Sequence, residues 1–169
     1  IDSNHMPITA GEKSHPHAYK IARAIEVMEY EMSTPNNDYW WWSDGLYMVM
    51  PVMTKLYNIT HNPLYLTKLY EYWSYANSIM YDTETGLYYR DAKYVYPKHK
   101  SVNGKKDFWA RGDGWVLAAF AKVLADLPKD DIHRNEYLQF YQKQAAAVAA
   151  CQQPEGYWTR SMLDAEHAP

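Results

Sequence analysis

The chain has 169 residues, 47% hydrophobic and 22% charged, enough for one sizeable core and too short for two ordinary domains. With 17 Lys plus Arg against 20 Asp plus Glu the formal net charge is -3, so no overall basic field exists to hold a nucleic-acid backbone, and nucleic acid is not an expected partner. The single Cys151 excludes an internal disulfide framework, and no apolar run reaches the roughly 18 residues that a membrane span needs.

Residues 1–12 lack the basic segment and following apolar run of a signal peptide. There is no initiating Met, and residues 164–169 stop without a closing element, so we expect a piece of a longer protein, truncated at both ends. A first helix is predicted from His17 to about Met32, with Ile21, Ala24, Ile25 and Met28 at helical spacing and Pro16 near its start. Residues 33–38 break it. The second helix is predicted from Ser43 to Tyr57, with Ser43 as N-cap and Leu46, Val49, Met50, Met53 and Leu56 in one stripe. Pro51 is expected to kink or interrupt it. Pro63 opens a third helix to about Met80 that carries Leu66, Leu69, Tyr70, Trp73 and Ala76. A turn over residues 82–86 leads to a strand-like piece, Leu87-Tyr88-Tyr89. Beyond a Lys- and Tyr-rich loop, the fourth helix is predicted from Trp115 to Asp126, with Val116, Ala119, Phe120, Val123 and Leu124 inward and Leu127-Pro128 as its stop. The Ala-rich stretch from Ile132 to Cys151 is the fifth, followed by the turn Pro154-Glu155-Gly156 and Tyr157-Trp158.

These elements repeat with a period of about 70 residues. Trp42-Ser43-Asp44-Gly45-Leu46 opens one copy and Arg111-Gly112-Asp113-Gly114-Trp115 the next, while Thr85-Gly86-Leu87-Tyr88-Tyr89-Arg90 recurs as Glu155-Gly156-Tyr157-Trp158-Thr159-Arg160. Each unit is helix, turn, helix, aromatic hairpin. A helix pair has an unburied apolar stripe unless it has neighbours, so such units close into a ring or stack into a solenoid. Two units and one helix do not close a ring.

The chemistry gathers at the repeat openings, which such an arrangement brings to one rim. The aromatic content is high at 16%, with 17 Tyr and 7 Trp against 3 Phe, a composition suited to sugar clefts and interfaces as well as to an aromatic core. Trp40-Trp41-Trp42 is expected to surround Asp44 with apolar surface, which favours the protonated form that a general acid needs. Arg111 offers a fixed cation for a ligand carboxylate, Gly112 and Gly114 allow close backbone approach, and Trp109 and Trp115 present faces to a sugar ring. The plainer readings stand beside these: Asp44 and Asp113 as helix-start caps, and Arg111 as the ion-pair partner of Asp113 or Asp107. His5, His15, His17, His61, His99, His133 and His167 are scattered without HExxH spacing or a nearby Cys, so no metal site is expected. No nucleophile elbow, Walker loop or GxGxxG occurs. The stretch from Lys93 to Lys106, five Lys interleaved with Tyr94 and Tyr96, reads as a solvated loop or a surface for an anionic polymer.

At Trp40-Trp41-Trp42-Ser43-Asp44-Gly45-Leu46-Tyr47-Met48 and Phe108-Trp109-Ala110-Arg111-Gly112-Asp113-Gly114-Trp115 the sequence resembles the unsaturated uronyl hydrolases, that is, the unsaturated rhamnogalacturonyl and glucuronyl hydrolases of glycoside hydrolase families 105 and 88. The resemblance covers nearly the whole chain. It implies an all-α, six-hairpin (α/α) toroid of which this chain is about half, with self-association as one way to complete the wall. It also implies an oligosaccharide substrate left by a polysaccharide lyase, of pectin or rhamnogalacturonan type, ending in a C4=C5 unsaturated uronic acid. The implied reaction is hydration of that vinyl ether: an aspartic acid protonates C4, its carboxylate assists water at C5, and the hemiketal rearranges to release the aglycone. By position Asp44 takes this role, Trp42 and Met48 line the pocket, and Arg111 and Trp115 hold the unsaturated sugar. No metal or organic cofactor is implied, and the bacterial cytoplasm and periplasm both fit. In the hairpin before the second motif many relatives carry a His where this chain reads Leu87-Tyr88-Tyr89-Arg90-Asp91, so Arg90 is the expected substitute ligand. A second acidic residue of the family is expected upstream of Ile1. Two alternatives stay open: a lyase or epimerase on the same toroid, and a noncatalytic helical scaffold.

Overall fold

A computed structural model describes residues 16–166, so the readings on residues 1–12, His5, His15 and His167, and on the last three residues, lie outside the described part. The chain divides into two compact units, Ile1–Pro35 and Asn36–Pro169. The first holds helix α1, Pro16–Ser33, within a residue of its predicted ends. The second holds α2, Ser43–Thr60, α3, Leu64–Met80, α4, Ala110–Asp126, and α5, Arg134–Ala150. The expected all-α class holds: among the described residues the only extended pairings are isolated bridges, Trp42 with Asp91, Tyr81 with Tyr88 and Trp109 with Ser161.

Periodicity found the core faces. Leu46, Met50, Met53 and Leu56 of α2 and Val116, Ala119, Phe120 and Val123 of α4 are buried as their spacing predicts. On α3 the inner face is wider than expected, taking in Tyr65, Tyr72 and Met80 as well as Leu69, Trp73 and Ala76. Trp73 is the hub of this core, edge-on to Phe120 of α4 and Phe140 of α5 and tilted against Tyr137. Such ring pairs add about 0.5–1.5 kcal/mol each beyond the area they bury.

Three sequence readings need correction. Pro51 does not interrupt α2, which runs unbroken through it. Ser43 is not the N-cap: Trp42 holds that place in extended conformation, and the Ser43 hydroxyl bonds the neighbouring Asp44 carboxylate instead of a backbone N–H. The fourth helix starts at Ala110 rather than Trp115, because its first turn is fastened by the Ala110 N–H to the Arg160 carbonyl at 3.0 Å. Two glycines in that turn lower helix propensity, and packing overrides them.

Helices α2 and α4 run parallel. Ser43 meets Gly112 at their N-terminal ends, Tyr47 meets Trp115 one turn on, and Thr54, Lys55 and Asn58 meet Asp126 at the far ends. Their N-termini, and the positive ends of their dipoles, therefore lie side by side at one rim.

Candidate active site

The repeat is real, but its register differs from the sequence reading. Trp42 and Trp109 are the N-caps of α2 and α4, each bridged to the loop that ends its own unit. The next residue of each donates its N–H to an arginine carbonyl: Ser43 to Arg90 at 2.9 Å, Ala110 to Arg160 at 3.0 Å. Trp42-Ser43-Asp44-Gly45 therefore corresponds to Trp109-Ala110-Arg111-Gly112, two residues away from the match of Asp44 with Asp113. The hairpin half of the repeat keeps its predicted register, with Gly86 and Gly156 both in the left-handed region at φ 79 and φ 90.

Asp44 and Arg111 thus hold the same first-turn position in two parallel, touching helices. What brings them together is Gly112: a Cβ there would lie 2.7 Å from the Ser43 hydroxyl and 2.9 Å from the Trp109 ring. Gly114, by contrast, faces open space and plays no part in this approach. One turn along, Met48 follows Asp44 and Trp115 follows Arg111 on the same helix faces. Tyr47 and Trp115 close the seam between those faces with ring centroids 4.5 Å apart. Met48 is exposed and Trp115 half-buried, so the seam ends in an open apolar wall.

The three consecutive tryptophans have three different environments. Trp40 is buried edge-on to Tyr72, Trp41 is exposed, and Trp42 lies against Gly45 with its ring tilted 4.7 Å from that of Trp41. Asp44 itself is half-buried and accepts from Ser43 at 3.3 Å. Arg111 is exposed, with its guanidinium 4.6 Å over the Trp109 ring. Among the described residues it has no ion pair, since both carboxylates offered as partners are engaged elsewhere. Arg90 is exposed too, giving a hydrogen bond to the Tyr94 hydroxyl at 2.9 Å and lying 3.7 Å from Asp91.

Asp113 is neither a cap nor a partner of Arg111. It is fully buried, and its Oδ1 accepts from the Tyr88 N–H at 2.9 Å and from Gln144 at 3.1 Å, fastening the hairpin and α5 to α4. Burial raises its pKa to about 7 against those two stabilising bonds, and among the described residues its Oδ2 has no partner. The Lys-rich loop is likewise more than a solvated surface. Lys106 is held by Asp82 and Glu84, Asn103 by Asp164, and His99 by Asp107 at 2.7 Å. Asp107 also takes both of its oxygens to Arg160 at 2.8 Å. Burial works to raise its pKa, but the hydrogen bonds of Arg160 and His99 outweigh it and keep the carboxyl below its ordinary value. Sequence reading missed this His99–Asp107–Arg160 group. The one available signal was Arg160 recurring at the Arg90 position.

Among the described residues no three His, Cys, Asp or Glu are placed to hold a metal ion, and no helix is long and apolar enough to cross a membrane.

A carboxylate and a cation thus stand at matched helix starts, walled by aromatic rings, in a repeat-built α-helical protein. The profile of Glycosyl Hydrolase Family 88 matches residues 4–169, and the chain belongs to that family. An unsaturated 3S-rhamnoglycuronyl hydrolase of Formosa agariphila is 35% identical over 131 residues, covering 75% of this chain and 35% of the relative. A solved family 88 glycosyl hydrolase from Bacteroides vulgatus superposes with a TM-score of 0.88 at 66% identity, over 93% of this chain and 45% of its own. Another solved structure, described as a polysaccharide lyase, gives the same TM-score at 77% identity over 93% of this chain and 44% of its own. The fold is that of the (α/α) toroid, and the chain spans less than half the length of these relatives.

Proposed function

We propose that the protein removes a 4,5-unsaturated uronic acid from the non-reducing end of lyase-generated oligosaccharides. The observation that carries this reading is the matched pair: Asp44 and Arg111 at equivalent first-turn positions, brought together by the contact of Ser43 with Gly112. The name of the Formosa relative makes unsaturated rhamnoglycuronyl oligosaccharides the first substrates to try.

In this mechanism Arg111, oriented by the Trp109 ring beneath it, binds the uronate carboxylate with help from the two helix N-termini. The Asp44 carboxyl gives its proton to C4, and positive charge develops at C5 and the ring oxygen. The resulting carboxylate takes a proton from water as the water oxygen bonds to C5. The C5 hemiketal opens to a ketone, which leaves C1 as a hemiacetal, and this collapses to an aldehyde as the C1–O bond breaks and the aglycone leaves as an alcohol. Trp42, Met48 and Trp115 supply the walls of the pocket, and Arg90 gives a second cation at its mouth.

One observation favours a second reading, namely the 77% identical structure described as a lyase. The two reactions differ in sign, because hydration consumes the conjugated C4=C5 bond and a lyase creates it. The test is ultraviolet absorbance over time with the full-length protein, on unsaturated disaccharides and on intact uronate polysaccharide. A fall on the disaccharides that Asp44→Asn abolishes is the expected result. A rise on the polymer with no fall on the disaccharides would overturn the hydrolase.

A further inference from the structure

We propose that His99 is a positioning residue that, fixed by Asp107, holds Tyr94 and through it the Arg90 guanidinium at the rim, where Arg90 takes a carboxylate or sulfate oxyanion of the sugar substrate. The proposal deepens the hydrolase reading and rests on it.

The fixed end of the assembly is Asp107. It is buried and lies two residues before the N-cap Trp109, and the intervening Phe108 is fully buried with its carbonyl bonded to the Met162 N–H at 2.9 Å. Arg160, in an ion pair with Asp107 at 2.8 Å, already answers this carboxylate's charge. His99 is therefore not needed to neutralise it, yet its Nε2 comes to 2.7 Å, at the entropic cost of ordering a surface loop side chain that stays about one-third exposed at 34%. What the ordered imidazole holds is Tyr94, with ring centroids 4.3 Å apart. Tyr94 is also packed on the small cluster of Leu87, Tyr89, Phe108 and Met162, so it is gripped from below as well as from the side.

The working end is Arg90. Its guanidinium donates to the Tyr94 hydroxyl at 2.9 Å and lies 4.9 Å from the Tyr94 ring centre. The only acid near it is Asp91 at 3.7 Å among the described residues, so most of its charge and donors remain for a ligand. Its carbonyl is bound by the Ser43 N–H, one residue from Asp44, while the Arg160 carbonyl is bound by the Ala110 N–H, one residue from Arg111. The chain of contacts from Arg90 through Tyr94, His99 and Asp107 to Arg160 thus links the two loops that fasten the starts of α2 and α4.

The experiment uses the full-length protein and unsaturated disaccharides with and without a sulfate ester on the sugar next to the cleaved bond. His99→Phe is expected to raise KM about tenfold with kcat within about twofold, the size of a lost charge-assisted contact. His99→Gln, which keeps a donor for Asp107, is expected to stay within about threefold of the parent. In an Arg90→Gln background the effect of His99→Phe should disappear, since both act through one contact. An effect confined to the sulfated substrate assigns the oxyanion to sulfate, and an equal effect on both assigns it to the uronate. Unchanged KM in His99→Phe, loss of kcat alone, or full additivity with Arg90→Gln would overturn the proposal. Calorimetric binding of the same disaccharides to the Asp44→Asn protein separates the two levels. Binding that weakens about tenfold with His99→Phe supports the arm even where no turnover is seen, a result that sinks the hydrolase alone. Absence of binding to the Asp44→Asn protein overturns both.

Discussion

The two repeats share a backbone plan and differ in what they do with it. At the helix starts, the same N-cap tryptophan and the same N–H to arginine carbonyl bond place an acid in the first repeat and a cation in the second. At the hairpins the difference is one of cover. Leu87, Tyr88 and Tyr89 are buried, whereas their counterparts Tyr157 and Trp158 are 54% and 40% exposed. The first hairpin lies under the following helix pair, with Tyr88 bonded to Asp113 of α4 and Gly86 packed against Lys143 and Ala147 of α5. Repeat architectures behave this way: each unit is finished by the next. The candidate site sits at the matched ends of the units, and the packing that joins them sits between.

The comparison can be broken most severely at its acid. Asp44→Asn removes the only proposed proton carrier, so kcat on unsaturated disaccharides should fall by about 10³ or more in the absorbance assay, with the melting temperature close to the parent's. Next comes the cation. Arg111→Gln should lower kcat/KM by about tenfold to a hundredfold, seen mostly as weaker substrate binding. Removing the spacing between them is a test of structure first. Gly112→Ala puts a methyl group against Ser43 and Trp109 and should cost about 1–3 kcal/mol in denaturant unfolding, whereas Gly114→Ala, which meets open space, should not destabilise.

The last test concerns the buried link between units. Asp113 is protonated in both folded and unfolded chains below about pH 4. Between there and its raised pKa of about 7 the unfolded chain ionises first, so the stability held by the protonated form is lost as pH rises, and above pH 7 the loss is constant. Asp113→Asn, which cannot ionise, should therefore gain stability relative to the parent from pH 4 to 7 and keep a flat advantage above it. The pH dependence of thermal unfolding reads this directly, and an advantage that shrinks toward pH 7 would contradict it.

Much of this organisation was legible in the sequence. Helical spacing located the five helices of the described residues, and the pairing of Asp44 with Arg111 at one rim followed from the repeat. The errors have physical causes. Gly112 and Gly114 read as a loop because propensity is local, while the packing of Gly112 on Ser43 that makes it helical is a contact between residues far apart in sequence. The shared Asp-Gly of Asp44-Gly45 and Asp113-Gly114 suggests one register, but Trp-Ser-Asp-Gly and Trp-Ala-Arg-Gly give the correct one once the N-cap tryptophan is taken as the marker. His99 was unreadable for another reason: its partner Asp107 becomes informative only when Arg160, in the next repeat, is folded onto it.

Because residue 112 has no side chain, the Ser43 side chain and the Trp109 ring close directly onto the α4 backbone, and this contact sets the distance between the two helix starts. Exchanging Ser43 or Trp109 would retune that distance, whereas Met48, Trp115 and Arg90 lie outside this contact. On the proposed function, substrate choice is separable from the chemistry, and an engineer seeking a new aglycone would leave the helix starts alone and rewrite the rim.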